Sequence, residues 1–286
     1  MITFDFLFPP ILGCILIVLV NVYFGIHVIK REIIFIDIAL AQIAALGGVI
    51  GGIILKTPGP GHEHDEYGLL SYILSLAFIS LASLVFALLK HKKIPIPLEA
   101  IIGISFAVAT TMAVIILDKA SGGDVHVHDM LIGSILWVSW NKIIRLAIVV
   151  SLVGLFHFIF RKKFINLTDA FQDAYHALKR PRIWDFLFYF SFGIVVIEAV
   201  NVAGILTVFA FLIIPASLTV IISKSWIMMM IAGWIVGILS AVAGVFLSVK
   251  MDVPSPPVII ILLGLLLLLG FLFYKIKTLI KGVSNP

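Results

Sequence analysis

Charge is what this sequence has least of. Only 12% of its 286 residues are Asp, Glu, Lys or Arg, where a soluble domain would carry about a quarter. Cysteine is almost missing as well. Cys14 stands alone, which excludes a disulfide framework and a thiolate metal cluster. The pattern G-x-x-x-x-G-K-[ST] does not occur, so the chain has no loop of its own to cradle ATP phosphates. Neither H-E-x-x-H nor G-x-S-x-G is present, which leaves a membrane enzyme poorly supported. His62-Glu63-His64 has the wrong spacing for a zinc helix and follows the helix-breaking stretch Pro58-Gly59-Pro60-Gly61.

Apolar residues fill the space, at 62% of the chain. They gather in runs at about 6–29, 33–55, 69–89, 96–117, 130–160, 186–222, 226–249 and 257–274. About 20 apolar residues suffice to cross a hydrocarbon core, so the runs predict an all-α polytopic transmembrane bundle and a single domain over 1–286. The run 186–222 is too long for one upright helix. Asn201 and Gly204 divide it, and Pro215 lies in its second half. The run 130–160 is interrupted by Trp140, Asn141, Lys142 and Arg145, and reads as a short interfacial helix before a spanning one. About eight or nine spanning helices result. No cleavable leader is expected, because the first run starts near Phe6 without a basic flank before it. Gly47–Gly52 and Gly233 with Gly237 provide small residues one turn apart, which suit close helix packing within the bundle.

The net charge of +5 is not a nucleic-acid signal, because its basic residues cluster at the ends of the runs. Fifteen of the 20 Lys and Arg fall on one side if the runs alternate in direction. Those include Lys30, Arg31, Arg161 to Lys163, Lys179, Arg180 and Arg182. Such asymmetry marks the cytoplasmic side. The expected setting is a bacterial or archaeal inner membrane, with the N-terminus outside and the C-terminus in the cytoplasm. The largest inside connection, 161–185, has helical apolar spacing at Ala170, Phe171, Ala174, Tyr175 and Leu178. Thr168 suits its N-cap, Asp169 its first turn and Pro181 its end.

The outside loops hold His62 and His64, and His126 and His128 followed by Asp129. Imidazole with carboxylate suits borderline divalent ions. Inside the bilayer, ionisable groups are costly and usually functional. Asp37 and Gln42 lie on the second run, and Glu198 and Asn201 on the sixth, the latter two nearly on one helical face. Asp252 stands at the outer mouth. His157 and His27 fall near run ends and Glu99 at a run start, so interfacial or capping places are expected for all three.

Several stretches resemble one family, the permeases of zinc, manganese and iron ABC importers. Gly25–Glu32 followed by Asp37–Gly47 is similar to that family's first-to-second helix signature, and Glu99–Ala107 to its fourth-helix motif. Leu131–Ser139 resembles its L-F-G-x-I-L-x-V-S segment. Ala203–Ala216 resembles its stretch ending I-I-P-A-A, and Asp252-Val253-Pro254 its D-x-P turn. The family places His one turn after Asp in the second helix. Here Ala41 holds that position and Gln42 aligns with the His of an A-L-A-H pattern, about 140° around the helix from Asp37. The family's Gly after the coupling helix is also missing.

The resemblance implies a membrane subunit that imports a divalent zinc, manganese or iron ion without a bound cofactor. The ion would pass Asp37, Gln42, Glu198, Asn201 and Asp252, with the outer histidines and Asp129 raising its local concentration. It also implies a permease homodimer, a cytoplasmic ATPase subunit dimer and an extracytoplasmic metal-binding protein. The segment of about 164–182 becomes a coupling helix that presents Asp169, Phe171, Asp173, Ala174 and Leu178 to the ATPase. A stand-alone secondary metal transporter and a membrane metal sensor are the alternatives.

Overall fold

Backbone amides inside a bilayer must be satisfied within their own segment, so a chain this apolar is driven to helices. A computed structural model describes residues 4–55, 69–90, 96–118, 135–169 and 182–283. Those residues form ten α-helices and one 3₁₀ turn: α1 (Phe4–Lys30), α2 (Ile36–Leu55), α3 (Leu69–Lys90), α4 (Leu98–Asp118), the turn Ile135–Trp137, α5 (Trp140–Ile159), α6 (Arg161–Asp169), α7 (Arg182–Ala203), α8 (Ile205–Ile222), α9 (Trp226–Met251) and α10 (Ser255–Val283). Eight are long and apolar enough to cross a membrane, and α2 is apolar over Ile36–Gly52 at the short limit. Only α6 is too short and too polar to cross. The chain is a multi-pass membrane protein.

One long run divides at its expected interruption and the other does not. Gly204 takes φ of 77° with ψ of 159° between α7 and α8, a positive-φ conformation that costs a residue with a Cβ. The break before α5 lies at Val138 and Ser139, after a single 3₁₀ turn. Trp140, Asn141, Lys142 and Arg145 therefore open the spanning helix itself and do not separate two helices. Phe6 against Trp137 and Phe8 against Trp140 fix this junction to the start of α1.

Packing sorts the helices into two groups joined by α1 and α7. α2 lies chiefly on α3 and α4, whereas α8 and α9 lie on α1, and α10 covers α8 and α9. Gly47 and Gly51 let α2 touch the backbone of α3. A Cβ on Gly47 would stand 2.8 Å from the Leu74 carbonyl oxygen, and one on Gly51 would stand 2.5 Å from Ser71 Cα. The small-residue pattern of α2 therefore serves packing inside the chain. The end of α1, the starts of α2, α4, α7 and α9, and all of α6 meet at one end of the bundle. This end, the Lys30 end, carries Lys30, Arg31, Arg161 to Lys163 and Arg182.

α1 stops at that end by a Schellman motif. Ile33 N–H donates to the Val28 carbonyl and Glu32 N–H to the Ile29 carbonyl, with Glu32 at φ of 55°. Asp252 repeats the device at the other end. It ends α9 at φ of 55°, and Val253 N–H donates to the Ser248 carbonyl. The D-x-P turn is thus a left-handed cap followed by the proline that leads into α10.

Candidate functional site

Two polar centres lie inside the apolar bundle, one at each end. At the Lys30 end Arg31 is fully buried. Its Nε donates to Thr168 Oγ1 at 2.8 Å, its Nη1 meets Asp185 Oδ1 at 3.4 Å, and the guanidinium stacks over Phe188 at 3.8 Å. Burial pushes the Arg31 pKa down from its ordinary value, and the Asp185 carboxylate opposes that push. Thr168 also bonds His27 Nδ1 at 2.6 Å. The roles close if Arg31 donates to the hydroxyl and the hydroxyl donates to the ring, whose own proton then sits on Nε2.

His157 belongs to the same layer. The Ser191 hydroxyl donates to the Phe188 carbonyl, so it accepts from His157 Nε2 at 2.8 Å, and Nδ1 accepts from the Tyr23 hydroxyl at 3.0 Å. Phe164 of α6 stacks on the ring at 4.1 Å. His27 and His157 are therefore buried and bonded, not interfacial as their run-end positions suggested. Glu99 does cap, but caps another helix: its Oε1 accepts from Phe35 N–H, just before α2.

Asp37 sits in the first turn of α2, only 2% exposed. Its Oδ1 is buried and has no hydrogen-bond partner. Gln42 is also buried. Among the described residues no three His, Cys, Asp or Glu side chains form a metal-holding group. Within this chain, then, Asp37 provides one open carboxylate oxygen and not a closed metal site.

Glu198 is far from Asp37. Asp185 and Asp37 both lie near the starts of helices at the Lys30 end, and Glu198 is 13 residues beyond Asp185 on α7, about 20 Å along the helix. It is buried, hydrogen-bonded to Tyr72 of α3, and acted on by the charge of Arg145 of α5. Asn201, expected on its face, is exposed while Glu198 is buried. Asp252 is exposed at the α9 cap. The five expected pathway residues therefore do not converge on one point.

Thr168 does not cap a helix that starts there. It lies buried in the last turn of α6, one residue before Asp169. Asp169 Oδ1 accepts from Lys30 Nζ at 3.0 Å and Oδ2 from Trp226 Nε1 at 3.1 Å. His62, His64, His126, His128, Asp129, Phe171, Asp173, Ala174 and Leu178 lie outside the described residues.

A sequence model of the ABC 3 transport family matches residues 3–274. The chain belongs to the ABC 3 transport family. It is 24% identical over 245 residues to the manganese transport system membrane protein MntC of Listeria monocytogenes, a match covering 82% of each chain. It is 25% identical over 189 residues to a metal transport system membrane protein of Chlamydia muridarum, covering 65% of this chain and 61% of that one. The chain thus spans about three-fifths of the length of several relatives that it matches. Among solved structures it shares its fold with PsaBC from Streptococcus pneumoniae in complex with a Fab, at a TM-score of 0.73 and 20% identity over 94% of this chain and 92% of that one.

In this ABC 3 chain the residues that sequence reasoning passed over are Arg31, Asp185, Tyr23, Tyr72 and Ser191. By its position Arg31 reads as one of the topology-setting basic residues. One signal was available: Asp185 is an acidic residue opening a spanning helix on the basic side, where a lone carboxylate calls for a partner.

Proposed function

We propose that this chain is the membrane subunit of an ATP-driven importer for a divalent transition-metal ion, manganese, iron or zinc. Family membership supports the ATP-driven class, and relatives named for manganese and metal transport support the cargo. The observation that carries the reading is Asp37. It is a buried carboxylate in an apolar helix with one oxygen unpartnered, placed where the family signature turns from the first helix to the second. A buried anion is costly unless something compensates it, and a passing dication does.

ATP is hydrolysed on a separate cytoplasmic ATPase dimer, since this sequence carries no phosphate-cradling loop. The Lys30 end faces the cytoplasm, in keeping with its basic clusters. Two copies of this chain build the permease in a bacterial or archaeal inner membrane, and an extracytoplasmic protein delivers the metal. Gln42 adds an amide oxygen next to the Asp37 level. Glu198, Asn201 and Asp252 line the far mouth, and the outer histidines with Asp129 concentrate the ion. Phe171, Asp173, Ala174 and Leu178 meet the ATPase.

Reconstitution tests the reading. The chain and its ATPase in liposomes should accumulate radiolabelled manganese, iron or zinc when ATP is supplied, and not with ATP absent. Uptake driven by a proton gradient without ATP would overturn the assignment.

A further inference from the structure

The last two residues of α6 aim every side-chain oxygen at another helix. Thr168 Oγ1 is held by Arg31 Nε at 2.8 Å and by His27 Nδ1 at 2.6 Å. Asp169 divides its carboxylate, with Oδ1 on Lys30 Nζ at 3.0 Å and Oδ2 on Trp226 Nε1 at 3.1 Å. Lys30, Trp226 and His27 among these four partners also hold one another. Lys30 Nζ lies 4.2 Å above the Trp226 ring, and that ring packs on His27 at 4.7 Å. Three of them are the last turn of α1 and the residue after it, and the fourth is the first residue of α9.

Stability alone is a weak reason for this arrangement. Lys30 and Asp169 are partly exposed, at 25% and 47%, and ion pairs at such positions contribute little. What the split carboxylate does supply is direction. It fixes the point where the chain leaves α6 relative to both α1 and α9. Arg31 continues the line inward, because it also joins Asp185 of α7 and is only six residues before Asp37. The link between them is the short Schellman turn at Glu32 and Ile33, which has little slack.

We infer that Thr168 and Asp169 are positioning residues, a clasp that passes movement of the chain beyond α6 to the α1–α2 turn and so to Asp37. This rests on the reading above, in which residues after Asp169 engage the ATPase. It assigns Asp169 to an internal clasp and not to the ATPase surface.

The test uses the whole importer in liposomes, with manganese, iron and zinc offered in parallel, and reads metal taken up per ATP hydrolysed. A merely structural role lowers both rates together and leaves that ratio alone. Lys30→Glu and Asp169→Lys should each lower the ratio at least about five-fold, the low end of coupling between sites. The double variant Lys30→Glu/Asp169→Lys restores the link to α1 with its signs exchanged but not the Trp226 bond, and should bring the ratio part of the way back to the wild type. Thr168→Val should lower the ratio and Thr168→Ser keep it. An unchanged ratio in both single charge variants overturns the clasp. So does a double variant no better coupled than either single variant, which would place Asp169 against the ATPase. The charge pair lies at the surface, so it decides the matter independently of any packing lost at Thr168. A wild-type importer that takes up no metal with ATP overturns the functional reading, and the clasp with it.

Discussion

Arg31 and Asp185 meet at 3.4 Å with neither side chain exposed, joining the residue after α1 to the first turn of α7. A buried pair of this kind adds little net stability, but removing one member leaves the other charged and uncompensated. Asp185→Ala should therefore lower stability by about 3–5 kcal/mol. Asp185→Asn retains an oxygen for the guanidinium and should cost less. Thermal unfolding of the purified protein in detergent checks the order. Equal melting points for Asp185→Ala and the wild type would show that Arg31 finds its support elsewhere.

Asp37→Asn is nearly isosteric and should leave the fold intact. Removing a full charge at contact distance from a dication forfeits several kcal/mol of attraction even at a protein-like effective dielectric, so maximal uptake should fall at least about ten-fold. Gln42→Ala removes only an amide and should do less. Metal uptake by the reconstituted importer, with ATPase assembly verified by co-purification, measures both. Normal uptake by Asp37→Asn would move the metal route away from α2.

Glu198 behaves differently, because Arg145 and Tyr72 already attend it. Glu198→Gln keeps the Tyr72 bond but strips Arg145 of a nearby counter-charge, so uptake should fall less than in Asp37→Asn. Adding Arg145→Gln should recover part of the loss if the two are a compensating pair, whereas a metal-ligand role for Glu198 gives no recovery. The double-mutant comparison separates these outcomes.

Gly204→Ala forces a Cβ into a positive-φ, extended conformation open essentially only to glycine, and should destabilise by about 1–3 kcal/mol. Gly47→Leu should be worse, since the Leu74 backbone stands where the side chain would begin. Both effects are read as lost melting temperature and reduced monodisperse yield. A Gly47→Leu protein that melts with the wild type would mean that α2 and α3 separate freely.

Replacing His62, His64, His126 and His128 with Ala should weaken uptake mainly at low external metal, seen as a raised half-saturating concentration with maximal rate kept. On the proposed reading these loop ligands raise local concentration without forming the gate. Complete loss at saturating metal would make them part of the route.

The sequence by itself determined the class of fold. Apolar run length, the Asn201 to Gly204 interruption and the D-x-P turn each act locally, through helix length, backbone conformation and capping, so they were legible without coordinates. The family signature around Asp37 was legible for the same reason, since it is a contiguous string. Tertiary structure decided which polar groups meet. Arg31 and Asp185 are 154 positions apart, and Lys30 and Asp169 are 139 apart. No periodicity in one helix reports a partner on another. Structure also separated Asp37 from Glu198, because a residue's depth depends on where its helix begins at the shared end of the bundle. His27 and His157 show the same limit from the other side. Their positions near helix ends read as interfacial, yet α6 folds over that end and buries them, which no property of either histidine's own helix could reveal.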